Sequence, residues 1–255
     1  MSPLRICHVG RTASNDPDWT VLERALELGF DTILAVDDGG GNGSVSAMAE
    51  ACSVRGLSLF LDLDAYELDL AHPLVRQYPE KFSIRRHADP GIVVDPRHLP
   101  EAKGCARVQP DEDLEPLAAW WSDVVTRGAD NGVTGFRIIK PGRLGKTFTR
   151  ALIERAQHDV VFIADTPGET RDRVAALSEA GFDYCLSSLP WWDGRASWFA
   201  EETETLSRIA PVIAQVESPA KLPPVSSRQR CGRLAIAALS GSGLLMPIQF
   251  AEPAA

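Results

Sequence analysis

The chain has 255 residues, of which 44% are hydrophobic, and a formal net charge of −9. This length suits one large α/β domain with a substantial core, or two small domains. The acidic balance argues against a nucleic-acid-binding face and against a face for anionic membranes, because both need clustered Lys and Arg. It is compatible with a neutral substrate.

The cysteine count and the N-terminus point to a cytoplasmic protein. The five cysteines include no C-x-x-C pair, which is typical of a reduced protein with buried thiols. The first residues, MSPLRICHVGR, lack the apolar segment of a signal peptide, and no apolar run approaches the roughly 18 residues of a membrane helix. The spacing of His72, His87 and His98 fits no standard zinc pattern, so we expect no metal and no cofactor.

Short apolar runs alternate with longer stretches of helical periodicity along the chain. The runs predict strands at residues 5–10, 31–37, 57–64, 135–139, 159–165, 182–189, 211–216 and 243–250. Near-continuous apolar runs are typical of buried parallel strands, which need crossover helices between them. Residues 65–112 interrupt this rhythm with a long, polar, proline-punctuated excursion of the kind that is usually functional or disordered.

Eight predicted strands and seven predicted helices indicate an α/β fold, a (β/α)8 TIM-type barrel that spans residues 1–255 as a single domain. A doubly wound open sheet is the alternative. The sequence after the eighth strand is too short for an eighth outer helix. We therefore expect apolar strand surface near Leu244, Leu245, Ile248 and Phe250 to be uncovered and to mark a homodimer contact or a docked partner.

In this fold the active site lies at the C-terminal ends of the strands, so the residues that end each run are the first candidates. They form a polar ring of His8, Asp37, Asp38, Asp62, Asp64, Arg137, Lys140, Asp165, Ser187, Ser188 and Glu217. Strand ends are often polar simply because they face loops. However, Asp62, Arg137 and Asp165 follow strongly apolar runs, so we expect them to be partly buried.

Two further features lie at the same end of the predicted barrel. Trp191 and Trp192 follow the sixth strand together with Asp193. Their aromatic faces suit stacking on a sugar ring, and the alternative is that both pack beneath the next helix. Lys140 ends the fourth strand, where a desolvated lysine would suit Schiff-base aldolase chemistry with Asp165 moving protons. A solvated or ion-paired lysine is the simpler expectation.

Three stretches carry a family resemblance. They are LFLDLDAYELDLAHPLVRQYPEKFSIRRHADPGI (59–92), WWSDVVTRGADNGVTGFRIIKPG (120–142) and VFIADTPGETRDRVAALSEAGFDYCLSSLPWWDGR (161–195). In order and spacing they resemble glycoside hydrolase family 13, the α-amylase superfamily, and within it the bacterial enzymes that transfer maltosyl units from maltose 1-phosphate to α-1,4-glucan. The resemblance implies a barrel that binds an α-glucan or a maltosyl-type sugar and takes part in glycogen metabolism.

The departures from this family concern its catalytic residues. The fourth strand of the family reads roughly Phe-Arg-x-Asp with the Asp as nucleophile, whereas this chain keeps Arg137 and has Ile139 at the nucleophile position. The general acid, usually Glu, is replaced by Asp165, and the third-strand Asp is retained as Asp62. The His-Asp pair expected after the seventh strand is missing, with Glu217 a loose substitute, and so is the family's C-terminal β-sandwich.

A retaining glycosidase or transglycosylase needs two carboxyl groups roughly 5–5.5 Å apart, one of which forms the glycosyl-enzyme. Isoleucine cannot do so, and we expect a catalytically impaired barrel that binds glucan or pairs, as a homodimer or a docked subunit, with an active enzyme of glycogen metabolism. The candidate sugar-binding residues are His8, Asp62, Arg137, Lys140, Trp191, Trp192, Asp193 and Glu217.

Two further expectations concern the pairing of Arg137 and an alternative function. Without a nucleophile to steady, Arg137 should pair with Asp62 or Asp165 through charge-assisted hydrogen bonds. The alternative function is an active glycosyl transferase or hydrolase on an α-glucan or sugar phosphate that uses Asp62, Asp165 or Glu217.

Overall fold

The computed structural model describes residues 3–11, 19–36, 42–85, 97, 104–110, 113–156, 159–217 and 226–248. The strands are β1 (Leu4–Arg11), β2 (Thr32–Val36), β3 (Ser58–Leu63), β4 (Glu67–Asp69), β5 (Phe82–Arg85), β6 (Cys105–Val108), β7 (Gly135–Ile139), β8 (Val161–Asp165), β9 (Tyr184–Leu186), β10 (Val212–Gln215) and β11 (Gly243–Pro247). The helices are α1 (Thr20–Glu27), α2 (Asn42–Ser53), α3 (Pro73–Gln77), α4 (Glu115–Asp130), α5 (Pro141–Leu144), α6 (Lys146–Arg155), α7 (Arg171–Ala175), α8 (Trp198–Ser207) and α9 (Ser227–Ser240). Short 3-10 helices cover Pro79–Lys81 and Leu189–Trp191.

Eight parallel strands close into a barrel in the order β1, β2, β3, β7, β8, β9, β10, β11. Pairing of β1 with β11 completes the ring. The predicted (β/α)8 barrel is therefore confirmed, and the open-sheet alternative is wrong. Each of the eight predicted apolar runs coincides with a barrel strand, with boundaries shifted by no more than a few residues.

The excursion between β3 and α4 contains a sheet that the sequence did not predict. Strands β4, β6 and β5 form a small antiparallel sheet in that order. The register places Glu67 of β4 opposite Arg107 of β6, and Arg107 donates a hydrogen bond of 2.9 Å from Nε to Oε1 of Glu67. Glu67 also connects this sheet to the barrel, because it pairs with Lys140 at the end of β7.

The hydrophobic core has two layers. Inside the barrel, the strands contribute the buried residues Ile6, Leu34, Phe60, Ile163, Tyr184, Leu186, Ile213 and Leu245. Outward-facing residues such as Phe136 and Ile138 of β7 belong to the second layer, between barrel and helices. Since side chains alternate along a strand, a residue two positions beyond an interior one faces the mouth of the barrel. This alternation decides which polar side chains meet there.

The surface near β11 differs from the expectation of uncovered strand. Leu245 and Ile248 are only 2% and 8% exposed, and Leu244 is half-buried. Helix α9 packs on β10 and β11, and Ile248 lies beside α1. Phe250 lies outside the described residues, and within them no helix follows β11. The expected apolar seam is therefore wrong for the residues described, because packing within one chain covers them.

The described cysteines are free thiols, and most of them are buried. Cys7, Cys52, Cys105 and Cys185 are buried free thiols, and Cys231 is a free thiol exposed on α9. Burial raises the pKa of Cys7 and of Cys185 to about 12, so both stay protonated. Among the described residues, no helix has the length and apolar character needed to cross a membrane.

Candidate functional site

Side chains from several strand ends converge on one cavity of about 320 Å³ at the barrel mouth. The strand residues that line it are His8, Val36, Asp62, Arg137, Ile139, Asp165 and Gln215. His8, Asp62 and Asp165 each lie two positions beyond a residue of the interior layer. Loop residues complete the wall, among them Lys140 and Trp191. The alternation of each strand therefore places these polar groups at the same end of the barrel.

Arg137 and Asp62 form a bidentate ion pair at the base of this cavity. They are register partners on β7 and β3, and Arg137 donates from Nε and Nη2 to the two carboxylate oxygens at 2.7 Å each. Their side chains are 6% and 13% exposed. Burial alone would lower the pKa of Arg137, but the charges of Asp62 and Asp165 outweigh it and raise that pKa, so the guanidinium stays charged. The expected pairing of Arg137 with a neighbouring aspartate is confirmed.

The end of β7 carries Ile139 where the family resemblance places the nucleophile. Its register partner on β8 is Asp165, which lines the same cavity. Burial raises the pKa of Asp165, although the positive charges of Arg137 and Lys140 oppose this effect. A carboxyl group that holds its proton can both donate and accept hydrogen bonds. Ile139 and Asp165 therefore present one aliphatic and one weakly acidic group side by side.

His8 faces the cavity from the end of β1. Its Nε2 atom is buried and has no hydrogen-bond partner among the described residues. Burial, helped by the charge of Arg137, lowers the pKa of His8 to about 4, against a smaller opposing effect of Asp62. The imidazole is therefore neutral near pH 7, and Nε2 is available to a ligand hydroxyl.

A chain of charges links the end of β7 to the small sheet. Lys140 has the left-handed backbone φ of 50°, and its Nζ lies 3.1 Å from Oε2 of Glu67. Its ammonium is thus ion-paired, rather than desolvated among apolar groups as a Schiff-base lysine would be. Asp64 accepts hydrogen bonds from the amides of Tyr66 at 3.1 Å and Glu67 at 2.9 Å. Burial raises the pKa of Asp64 to about 6, although the Glu67 amide and the Lys140 charge oppose it.

The structure separates the two tryptophans and their neighbouring aspartate. Trp191 reaches the cavity, whereas Trp192 stacks on Phe199 with ring centroids 4.8 Å apart and donates its Nε1 hydrogen to the Ala196 carbonyl at 2.8 Å. Asp193 is exposed and accepts hydrogen bonds from nearby loop amides. Packing beneath the next helix is therefore the correct alternative for Trp192, and Asp193 holds the loop rather than lining the cavity.

Other strand-end candidates lie outside the cavity. Glu217 is two positions past Gln215, and its charge acts on Arg233 of α9. Ser187 and Ser188 are buried at the end of β9 without lining the mouth. Asp37 and Asp38 lie outside the described residues. Glu217 is therefore not in the position that a substitute for the missing His-Asp pair would need.

Several lining residues were not predicted from the sequence, among them Gln215, Arg143 and Glu169. Gln215 is 2% exposed and follows the interior residue Ile213 by two positions, so strand alternation was a usable signal for it. Arg143 and Glu169 come from the segments after β7 and β8, and no local periodicity marks them. Within the described part of the chain, no group of three His, Cys, Asp or Glu side chains is placed to hold a metal ion.

The chain resembles known proteins in sequence and in fold. No family model matches the chain. The alpha-1,4-glucan:maltose-1-phosphate maltosyltransferase of Burkholderia pseudomallei (strain K96243) is 31% identical over 176 residues, which cover 67% of this chain and 15% of that protein. An α-amylase from Lactobacillus plantarum has a similar structure, with a TM-score of 0.68 and 11% identity, covering 96% of this chain and 70% of that one. An α-galactosidase from Thermus thermophilus has a TM-score of 0.64 and 14% identity, covering 96% and 58%.

These findings carry different weight. At such low identity, the solved structures establish the barrel fold alone. The sequence match is more specific, although the chain spans only 15% of the length of the curated relative. In sequence the chain is similar to a maltosyltransferase, and in fold to α-amylase-type barrels, which supports its resemblance to the α-amylase superfamily, glycoside hydrolase family 13.

Proposed function

We propose that this barrel binds an α-glucan or a maltosyl-type sugar at its mouth without forming a glycosyl-enzyme. The observation that carries the proposal is the end of β7, where Ile139, which the family resemblance aligns with the nucleophile, is the register partner of Asp165. The preceding Arg137, which in the family would steady the nucleophile, is held by Asp62 through two hydrogen bonds. A double displacement needs a second carboxylate at this point, and an aliphatic side chain cannot provide it.

The remaining groups in the cavity suit hydroxyl recognition. The buried Nε2 of His8, the Asp165 carboxyl and the Gln215 amide offer donors and acceptors in a largely dry setting. Trp191 adds an aromatic surface at the rim. A small number of polar groups in a mostly apolar cavity is the usual composition of a small-molecule site. Arg137 is ion-paired with Asp62 and Lys140 with Glu67, so these two cations offer little uncompensated positive charge to a phosphate group.

The proposal extends to a partner. A glucan-binding barrel without turnover would act in glycogen metabolism by docking onto a catalytically complete enzyme, or as a homodimer that presents two sugar sites. Exposed apolar side chains on α9, Leu234 and Leu239, support such a contact.

Calorimetric titration with maltose, maltotetraose and maltose 1-phosphate tests the binding. We expect saturable binding of at least one of them. Asp165→Ala should weaken this binding on the order of tenfold, because a buried hydrogen-bond partner is lost. Asp159→Ala is the matched control, since that exposed residue precedes the opposite end of β8. Wild-type protein that binds none of the three sugars would refute the proposal.

A second candidate function is an active glycosyl transferase or hydrolase. It is favoured by the position of Asp165, which lines the cavity at the strand end where the resemblance places the general acid, and burial raises the pKa of this carboxyl group. Its second carboxylate would have to be Asp62, because Glu217 lies outside the cavity. Product formation from maltooligosaccharides and maltose 1-phosphate under enzyme excess separates the two functions. We expect only background from wild type and from Ile139→Asp, whereas turnover that survives Ile139→Ala and vanishes in Asp165→Asn would establish the second.

A further inference from the structure

Helices α8 and α9 are neighbours in the outer layer of the barrel and carry opposite charges. They follow the adjacent strands β9 and β10, so both run from the barrel mouth toward its opposite end. Helix α8 (WFAEETETLS) contains three glutamates and no basic residue, whereas α9 (SRQRCGRLAIAALS) contains three arginines and no acidic residue. In a chain with a net charge of −9, α9 is therefore a local basic segment that suits an acidic partner surface.

Most of α9 faces away from the barrel. The structure describes all residues of this helix, and among them only Ala237 is buried. Arg228, Cys231, Ala235 and Leu239 are exposed and follow one another at intervals of three or four residues, so they form one outward stripe. This stripe begins with a positive charge and ends with a large apolar side chain.

The outward side of α8 is acidic. Glu201 and Glu204 are exposed one helical turn apart. Glu201 pairs with Arg171 at 3.4 Å, and Glu204 pairs with Arg208. All four side chains are more than half exposed, and exposed pairs of this kind contribute little to stability. Both carboxylates therefore remain available to a cation of a partner.

We propose that two copies of this chain associate through α8 and α9, about a two-fold axis that runs between these helices and parallel to them. The rotation lays α9 of one copy along α8 of the other, and the reverse contact forms at the same time. The paired helices then run in the same direction. Arg228 approaches Glu201 and Glu204 of the second copy, because all three lie in the first two turns of their helices.

The same arrangement covers Leu239, which lies near the other end of α9. A closed two-fold contact also explains why the basic and the acidic helix are neighbours, since each must meet its opposite on the second copy. The inference rests on the association suggested under the proposed function, and it names a second copy as the partner.

Sedimentation equilibrium of the full chain at tens of micromolar tests the contact. We expect a particle of twice the 27.7 kDa chain mass. Arg228→Glu alone and Glu204→Arg alone should each weaken the association on the order of tenfold, because like charges then meet at both contacts. Glu154→Arg is the matched control. It also reverses an exposed glutamate that pairs with an arginine four residues away, but it lies on α6 and should change nothing.

An equimolar mixture of the Arg228→Glu and Glu204→Arg proteins should restore the association, because both contacts of the mixed dimer then join opposite charges. A monomeric wild-type protein would overturn the inference. So would a mixture that fails to associate, or an unchanged dimer in the Glu204→Arg protein, since either result removes α8 from the contact.

Cys231 provides a test of the geometry. It is exposed, whereas the other four cysteines are buried. Under an added oxidant, Ala200→Cys on α8 should give a dimer linked between Cys231 and the new thiol, whereas Asp130→Cys on α4 should not, because a disulfide needs Cα atoms within about 7 Å. Linkage of wild type through Cys231 alone would place α9 against α9 and overturn the arrangement. Maltose titration of the same samples is independent, since a monomer that binds maltose refutes only the dimer.

Discussion

Asp62 and Arg137 hold each other at the base of the barrel mouth. Arg137 donates from Nε and Nη2 to the two carboxylate oxygens of Asp62 at 2.7 Å each. The pair is buried, so its attraction is weakly screened by solvent. A buried ion pair of this kind adds modest net stability, but loss of one partner leaves the other charge without compensation.

Asp62→Ala should therefore lower the free energy of unfolding by about 3 kcal/mol, the usual cost of breaking a buried pair. Urea denaturation of wild type and variant gives this difference. The control is Glu154→Ala, which removes an exposed ion pair. Arg150 is 47% and Glu154 66% exposed, so this change should lower the free energy of unfolding by less than about 0.5 kcal/mol. Equal, small changes in both variants would show that Asp62 is dispensable for holding Arg137.

Asp64 should produce a pH-dependent stability of defined sign. Its pKa in the folded protein is about 6 against an ordinary value of 3.8. Between these values the folded state binds the proton more tightly than the unfolded state, so the free energy of unfolding falls as pH rises from about 4 to about 6. Asp64→Asn keeps the acceptor for the Tyr66 and Glu67 amides but cannot ionise. Urea titrations at pH 4 and pH 7 should show a smaller fall for this variant, and parallel curves would contradict the assignment.

At the scale of elements, the closure of the barrel depends on close backbone approach between β1 and β11. Leu4 and Gly243 are register partners there. A Cβ atom on Gly243 would overlap the Leu4 carbonyl oxygen, which belongs to the backbone and cannot turn aside. The last strand can therefore join the first only because this position lacks a side chain.

Gly243→Ala should destabilise the protein by about 1–3 kcal/mol, the range for overpacking in a closed structure. Gly232→Ala on α9 is the matched control, because nothing lies near the added methyl group and alanine favours a helix by up to about 1 kcal/mol. Chemical denaturation of both variants makes the comparison. A Gly243→Ala variant as stable as wild type would mean that β1 and β11 separate without cost.

For the whole molecule, the exposed leucines of α9 bear on its assembly with a partner. Leu239 is 89% and Leu234 37% exposed on α9, in contrast to the buried residues around β11. Isolated exposed leucines are common, and these two lie on different faces of α9, so Leu239, the more exposed, is the side chain that a partner would cover. This supports docking to an active glucan enzyme, or a homodimer, through α9.

Light scattering at tens of micromolar should reveal a particle larger than the 27.7 kDa chain, or co-elution with a catalytically complete maltosyltransferase. Leu239→Glu should abolish either association because it places a charge in the contact. Ser240→Glu, at the next position, which is also exposed, is the control and should have a weaker effect. A monodisperse monomer that also fails to bind such an enzyme would contradict the proposal.

The sequence by itself determined the barrel and most of its mouth. A strand buried on both faces must be apolar along its length, so the eight runs were visible without long-range information. The C-terminal ends of parallel strands meet at one edge, which is why His8, Asp62, Arg137 and Asp165 could be expected together. Ile139 also lies at the mouth, as its place at the end of a strand indicated, while its interpretation as a lost nucleophile stays a prediction.

Only the tertiary structure decided the positions that depend on loops and on chain direction. Strands of three or four residues, such as β4 and β6, are too short for a periodic signal. Trp191 faces the cavity while Trp192 packs on Phe199, since the two adjacent side chains diverge at the end of a 3-10 turn. Glu217 lies beyond the cavity at the barrel mouth, whereas Glu169 lines that cavity from the turn after β8. These outcomes follow from contacts between distant segments, which local sequence patterns do not encode.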